Sequence, residues 1–101
     1  MVKQVIVMNL QDKCFGPNLE TIKNNMKTRL EALNGQIEGM HSLEVYADCL
    51  TTSNADIFVE IVFEDEEALK NLKSNEKYNT ATKDVVVPFV DNRTHIEFAI
   101  C

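Results

Sequence analysis

Two segments of this chain are apolar on both faces of a strand, which constrains its fold more than any motif does. In Val2-Lys3-Gln4-Val5-Ile6-Val7-Met8-Asn9-Leu10, strand alternation sets Val5 and Val7 on one face and Val2, Ile6, Met8 and Leu10 on the other. Ile57-Phe58-Val59-Glu60-Ile61-Val62-Phe63 repeats the pattern, with Ile57, Val59, Ile61 and Phe63 opposed to Phe58 and Val62. Strands of this kind belong in the middle of a sheet covered on both sides. A chain of 101 residues with two good amphipathic helical stretches covers one sheet face only. The other face needs a second copy, so a homodimer is expected. Alternation does not say which parity meets the partner, so Val5, Ile6, Val7, Met8, Phe58, Val59, Ile61 and Val62 are all candidates for the dimer face.

The length also fixes a single domain over residues 1–101, and one this small has little stability to spare, which dimerisation supplements. The net charge of -6 argues against nucleic acid or an anionic membrane as partner, since the summed field repels phosphate and no basic stripe offsets it. The opening apolar run is short, interrupted by Gln4 and followed by no small-residue cleavage site, so it does not read as a signal peptide. No stretch approaches the length of a membrane span, and a soluble cytoplasmic protein is expected. Cys14, Cys49 and Cys101 match no zinc or redox spacing and read as reduced thiols.

Between the two apolar strands, Gly16-Pro17-Asn18 opens a helix with Gly16 or Asn18 as the cap. Leu19, Ile22, Met26, Leu30 and Leu33 fall on one stripe, and Asn34-Gly35 stops the helix. Leu43, Val45 and Ala47 alternate with Glu44, Tyr46 and Asp48, the pattern of an edge strand. After Ile57–Phe63, Asp65 caps a second helical stretch with Ala68, Leu69 and Leu72 inside, and the run Glu64-Asp65-Glu66-Glu67 is capping chemistry, not a metal site. Val85-Val86-Val87 favours strand by propensity while Pro88 argues against a central one. Thr94, Ile96, Phe98 and Ile100 alternate with His95, Glu97, Ala99 and Cys101 in a last edge-like strand. The order β-α-β-β-α-β is the ferredoxin-like plait, an α+β fold with a four-stranded antiparallel sheet, and its connectivity makes the first and third strands central.

The chain resembles the stress-responsive α/β-barrel (Dabb) domain family. The resemblance is carried by Met1-Val2-Lys3-Gln4-Val5-Ile6-Val7, by Leu33-Asn34-Gly35-Gln36-Ile37-Glu38-Gly39-Met40 leading to Ser42-Leu43-Glu44-Val45, by Asp56 to Leu69, and by Val87-Pro88-Phe89-Val90-Asp91-Asn92-Arg93. It implies two plaits pairing face to face as a dimeric α/β barrel, and helix from Lys77 to about Val87. A plant cyclase of the family does acid–base aldol chemistry with tyrosine and histidine in a pocket between sheet and helices. Its histidine positions fall on Gln4 and Ile57, its tyrosine on Leu72 and its His-Pro-x-His stretch on Asn75-Glu76-Lys77-Tyr78. Only Tyr78 retains a titratable phenol, a poor base at neutral pH with its ordinary pKa of about 10.

His41 and His95 lie on different elements with no nucleophile or orienting acid beside them in sequence, so surface or interface roles are favoured over catalysis. Asp48, Asn54 and Asp56 share a loop but fit no calcium spacing, and no metal or cofactor is expected. The leading expectation is a non-catalytic homodimer whose barrel or helix-side pocket takes a small apolar ligand. The alternative is a cofactor-free lyase or cyclase, or a monooxygenase, acting on a polyketide-like or aromatic substrate. For a pocket of either kind the candidate polar residues are Gln4, Tyr46, Asn75 and Tyr78.

Overall fold

The computed structural model describes residues 1–47 and 55–100. Strands β1 (Val2–Leu10), β2 (Met40–Tyr46), β3 (Ile57–Phe63) and β4 (Val90–Ala99) form one antiparallel sheet in the order β2-β3-β1-β4. Helix α1 (Leu19–Glu31) follows β1, and α2 (Glu66–Leu72) and α3 (Glu76–Val85) follow β3. The two doubly apolar strands are the central pair, as connectivity and patterning both require.

Burial assigns the parity that sequence left open. The even residues of β1 and the odd residues of β3 lie under the helices, with Ile57, Ile61 and Phe63 fully buried. Ile6, Met8, Val59 and Ile61 therefore belong to the helix-side core and are not dimer-face residues, because successive side chains on a strand point to opposite faces. Val5, Val7, Phe58 and Val62 lie on the uncovered face. There β1–β4 pairing places Ile96 beside Val5 and Phe98 beside Lys3, and both apolar side chains are exposed. A Lys3–Glu60 ion pair spans two strands of the same face.

Helix ends follow their local chemistry. Asp65 accepts the Ala68 N–H at 2.9 Å and caps α2. Asn75 accepts the Tyr78 N–H at 3.1 Å and starts α3. In α3, Val85 is helical against its propensity because Ala81, Thr82 and Val85 share the buried side of the helix. Asn18 occupies the N-cap of α1 without a side-chain cap bond.

The edge strand β2 is closed by side chains from the α1 end of the molecule. Its outward backbone groups at Leu43 are both bound by Asn34, which donates to the Leu43 carbonyl at 2.8 Å and accepts its N–H at 2.7 Å. At Val45, Glu31 accepts the N–H at 3.0 Å and Lys27 donates to the carbonyl at 2.9 Å. The amide and the ion pair thus stand in for a neighbouring strand and blunt this edge. Burial alone would raise the Glu31 pKa, but the Val45 N–H and the Lys27 ammonium outweigh it and hold the carboxyl below its ordinary value.

β2 starts earlier than alternation suggests. Gly39, with φ +81°, turns the chain into Met40, and a register irregularity follows between Met40 and Ser42. A Cβ on Gly39 would sit 2.6 Å from the Cβ of Ala68, so the glycine also lets α2 approach the sheet.

Candidate functional site

The helices cover β2, β3 and β1 but leave the helix-side residues of β4 exposed. Between β4 and the α2–α3 pair this opens a cavity of about 430 Å³. Its floor is Gln4 and Ile6 of β1. Leu69 and Leu72 border it from α2 and Lys73 from its C-cap, Tyr78, Asn79 and Thr82 from α3, and Arg93 and His95 from β4. Arg93 and His95 are there because β1–β4 register sets them opposite Met8 and Ile6.

The cavity holds unsatisfied hydrogen-bonding capacity. Gln4 is 7% exposed, and its Nε2 donates to Glu97 Oε1 at 3.1 Å, while that oxygen also lies 3.5 Å from His95 Nε2. The opposite amide orientation would set Gln4 oxygen against carboxylate, so the donor assignment is the one chemistry permits. Gln4 Oε1 and Thr82 Oγ1 are then buried without a hydrogen-bond partner among the described residues. Buried polar atoms are nearly always satisfied, so two at one cavity, from its floor and from α3, mark a place where a ligand or water belongs.

Tyr78 is half-buried beside them. Burial pushes its phenol above the ordinary range, opposed by the Arg93 charge and weakly by the neighbouring Thr82 hydroxyl, which does not reach hydrogen-bond geometry. At neutral pH Tyr78 is therefore a hydrogen-bond donor and not a base.

Of the four polar residues singled out from sequence, the cavity brings together Gln4 and Tyr78. Tyr46 is placed elsewhere, because its strand parity points it to the uncovered sheet face, where its ring lies 5.6 Å from that of Phe58 and its hydroxyl bonds Glu44. The Glu44 carboxylate is the chief cause raising the Tyr46 pKa. Asn75 is also outside the cavity, since its side chain caps α3 and borders a separate acidic groove with Glu38, Glu64, Asp65 and Glu67. Among the cyclase-equivalent positions, Leu72 lines the cavity and Ile57 is core.

Sequence reading missed Thr82, Arg93 and His95 as cavity residues. The available signal was the alternation of β4, which groups Arg93, His95 and Glu97 on one face. Using it requires knowing that β4 pairs with β1. His41 is exposed at the β2 irregularity. Asp56 Oδ2 accepts the Leu10 N–H at 2.8 Å and ties the residue before β3 to the end of β1. Asp48, Asn54, Cys49 and Cys101 lie outside the described residues, while Cys14 is buried with its Sγ 3.5 Å from the Phe89 carbonyl. Among the described residues no three His, Cys, Asp or Glu side chains converge as metal ligands. No described helix is long and apolar enough to cross a membrane.

The fold recurs in solved structures. A dimeric protein of unknown function and ferredoxin-like fold from Bacteroides fragilis matches with a TM-score of 0.88 at 18% identity, covering 98% of this chain and 95% of that one. A Dabb family protein with a ferredoxin-like fold from Mesorhizobium loti matches with a TM-score of 0.72 at 15% identity, over 99% and 96%. SnoaB, a cofactor-independent oxygenase from Streptomyces nogalater, matches with a TM-score of 0.70 at 12% identity, over 98% and 91%. At these identities the likeness is one of fold. No curated protein matches the chain. Residues 16–100 match the family described as the stress responsive A/B barrel domain. The chain belongs to the stress responsive A/B barrel domain family.

Proposed function

We propose that this protein is a homodimeric barrel module that holds a small molecule in the helix-side cavity without transforming it. The observation that carries the reading is the pair of buried, unpartnered atoms Gln4 Oε1 and Thr82 Oγ1 at one cavity. A site whose polar groups converge opposite an Ile6, Leu69 and Leu72 surface binds and orients. The positions of the family cyclase's histidines and tyrosine hold Gln4, Ile57 and Leu72 here, so that route of acid–base turnover is missing.

The dimer part of the proposal rests on the uncovered sheet face. Val5, Val7, Phe58, Val62, Ile96 and Phe98 form a patch larger than scattered surface apolar residues require. The Bacteroides fragilis neighbour is described as dimeric, in line with such pairing. The Lys3–Glu60 pair on this face is internally neutralised, which lowers the cost of covering it with a second copy.

A filled cavity tests the proposal. Thr82→Phe puts a phenyl ring where the ligand would sit, at the edge of an already buried position. Small molecules released by denaturing the native protein and the variant are compared by mass spectrometry. The proposal expects one defined compound from the native protein that Thr82→Phe loses while retaining its oligomeric state. Identical extracts from both would overturn it.

A second reading, a cofactor-free oxygenase or cyclase, is favoured by the fold shared with SnoaB and by the Tyr78 phenol beside Arg93. In that reading Tyr78 donates a hydrogen bond to a developing oxyanion. It requires that Tyr78→Phe abolish turnover of the compound recovered above. An unchanged compound after prolonged incubation in air counts against it.

A further inference from the structure

We infer that the molecule held in the helix-side cavity is an amphipathic carboxylate, its acid group held by Arg93 and its apolar body lying against Ile6, Leu69 and Leu72. The inference rests on the cavity reading above and replaces the purely apolar ligand expected from sequence.

Charge distribution is the first support. The chain has 16 acidic against 10 basic side chains, yet the cavity lining contains Lys73 and Arg93 and no carboxylate. The acidic groove of similar volume beside Asn75 carries Glu38, Glu64, Asp65 and Glu67, so the positive lining is a local property and not one of the whole surface. Glu97, beside the cavity, engages Gln4 and His95 through its Oε1.

The second support is the state of Arg93 itself. Arg29, the other arginine, is paired with Asp84 at 2.9 Å, whereas no carboxylate of the described residues pairs with Arg93. Its guanidinium acts on the Tyr78 phenol, so it faces the cavity. A planar fork of donors beside a phenol O–H matches the two oxygens of a carboxylate. The third support is Gln4 Oε1, an acceptor more than nine-tenths buried and unpartnered, which suits a ligand hydroxyl or N–H deeper in the site. Ile6, Leu69 and Leu72 give the cavity an apolar side that a bare inorganic anion would leave unused.

Calorimetric titration with sodium octanoate, octanamide and inorganic phosphate separates these terms. Octanoate and octanamide share the apolar tail and differ in the charge. The native protein is expected to bind octanoate roughly ten- to a hundred-fold more tightly than octanamide, the range of a charge-assisted hydrogen bond. Arg93→Gln, at an exposed edge-strand position, is expected to remove that preference, mainly by weakening octanoate, while leaving thermal stability unchanged. Equal affinity for the two probes, or a preference that survives Arg93→Gln, would overturn the inference and leave the cavity reading standing. Phosphate binding as tightly as octanoate would also overturn it, since the tail would then contribute nothing. Failure of both tailed probes to bind would overturn the cavity reading itself.

Discussion

Neighbouring residues of β1 should respond to the same substitution in opposite ways. Ile6 is 7% exposed under the helices, whereas Val7 lies half-buried on the uncovered face. Ile6→Asp forfeits about 2–3 kcal/mol of apolar burial and strands a carboxylate in the core at a further cost of several kcal/mol. Against a total stability of roughly 5–15 kcal/mol for a domain of this size, that variant should be largely unfolded. Val7→Asp leaves the helix-side core untouched, so the chain should keep its far-ultraviolet circular dichroism. At a two-fold interface each copy loses about 1.5–2 kcal/mol of burial, and each carboxylate must be desolvated. The doubled cost is on the order of 4–6 kcal/mol, or about three to four decades in the dimer dissociation constant. Sedimentation equilibrium with dichroism on both variants reads fold and association separately. A Val7→Asp protein that dimerises like the native one would refute the face assignment, and a folded Ile6→Asp protein would refute the parity.

Two further predictions concern the frame around the site. Gly39→Ala should destabilise the protein by roughly 2–4 kcal/mol, combining a left-handed φ with a Cβ 2.6 Å from Ala68, and a thermal melt unchanged within a degree would contradict the close approach. Glu31 has a folded pKa below its unfolded value, so its contribution is present above the unfolded pKa and lost as pH falls through the folded one. Melting temperature should therefore fall less between neutral and acid pH in Glu31→Gln than in the native chain, and parallel pH profiles would show that the carboxylate does not hold the β2 edge.

Much of the frame was legible in the sequence because it depends on local periodicity. The Leu19-to-Leu33 stripe, the Asp65 cap and the alternation of Ile57–Phe63 each follow from chemistry within a few residues. Val85 and Val86 were not legible that way, since Val85 ends a helix and Val86 is its C-cap, and the Asn75 cap and buried stripe outweigh β-branched propensity. Only the family resemblance pointed to helix there. Asn34 read correctly as a helix stop, but its grip on Leu43 depends on where β2 passes. The same holds for the site. Gln4 and Tyr78 could be carried over from a related pocket, whereas Arg93 and His95 become cavity residues only through β1–β4 pairing, a contact across more than eighty positions of chain that no local pattern encodes.

The central claim is that two copies pair through the uncovered sheet face and each keeps a small molecule on its helix side. Native mass spectrometry of the freshly purified protein tests both parts in one spectrum. The account predicts a species of two chains carrying up to two identical adducts, released together on collisional activation. A bare monomer at micromolar concentration would contradict it.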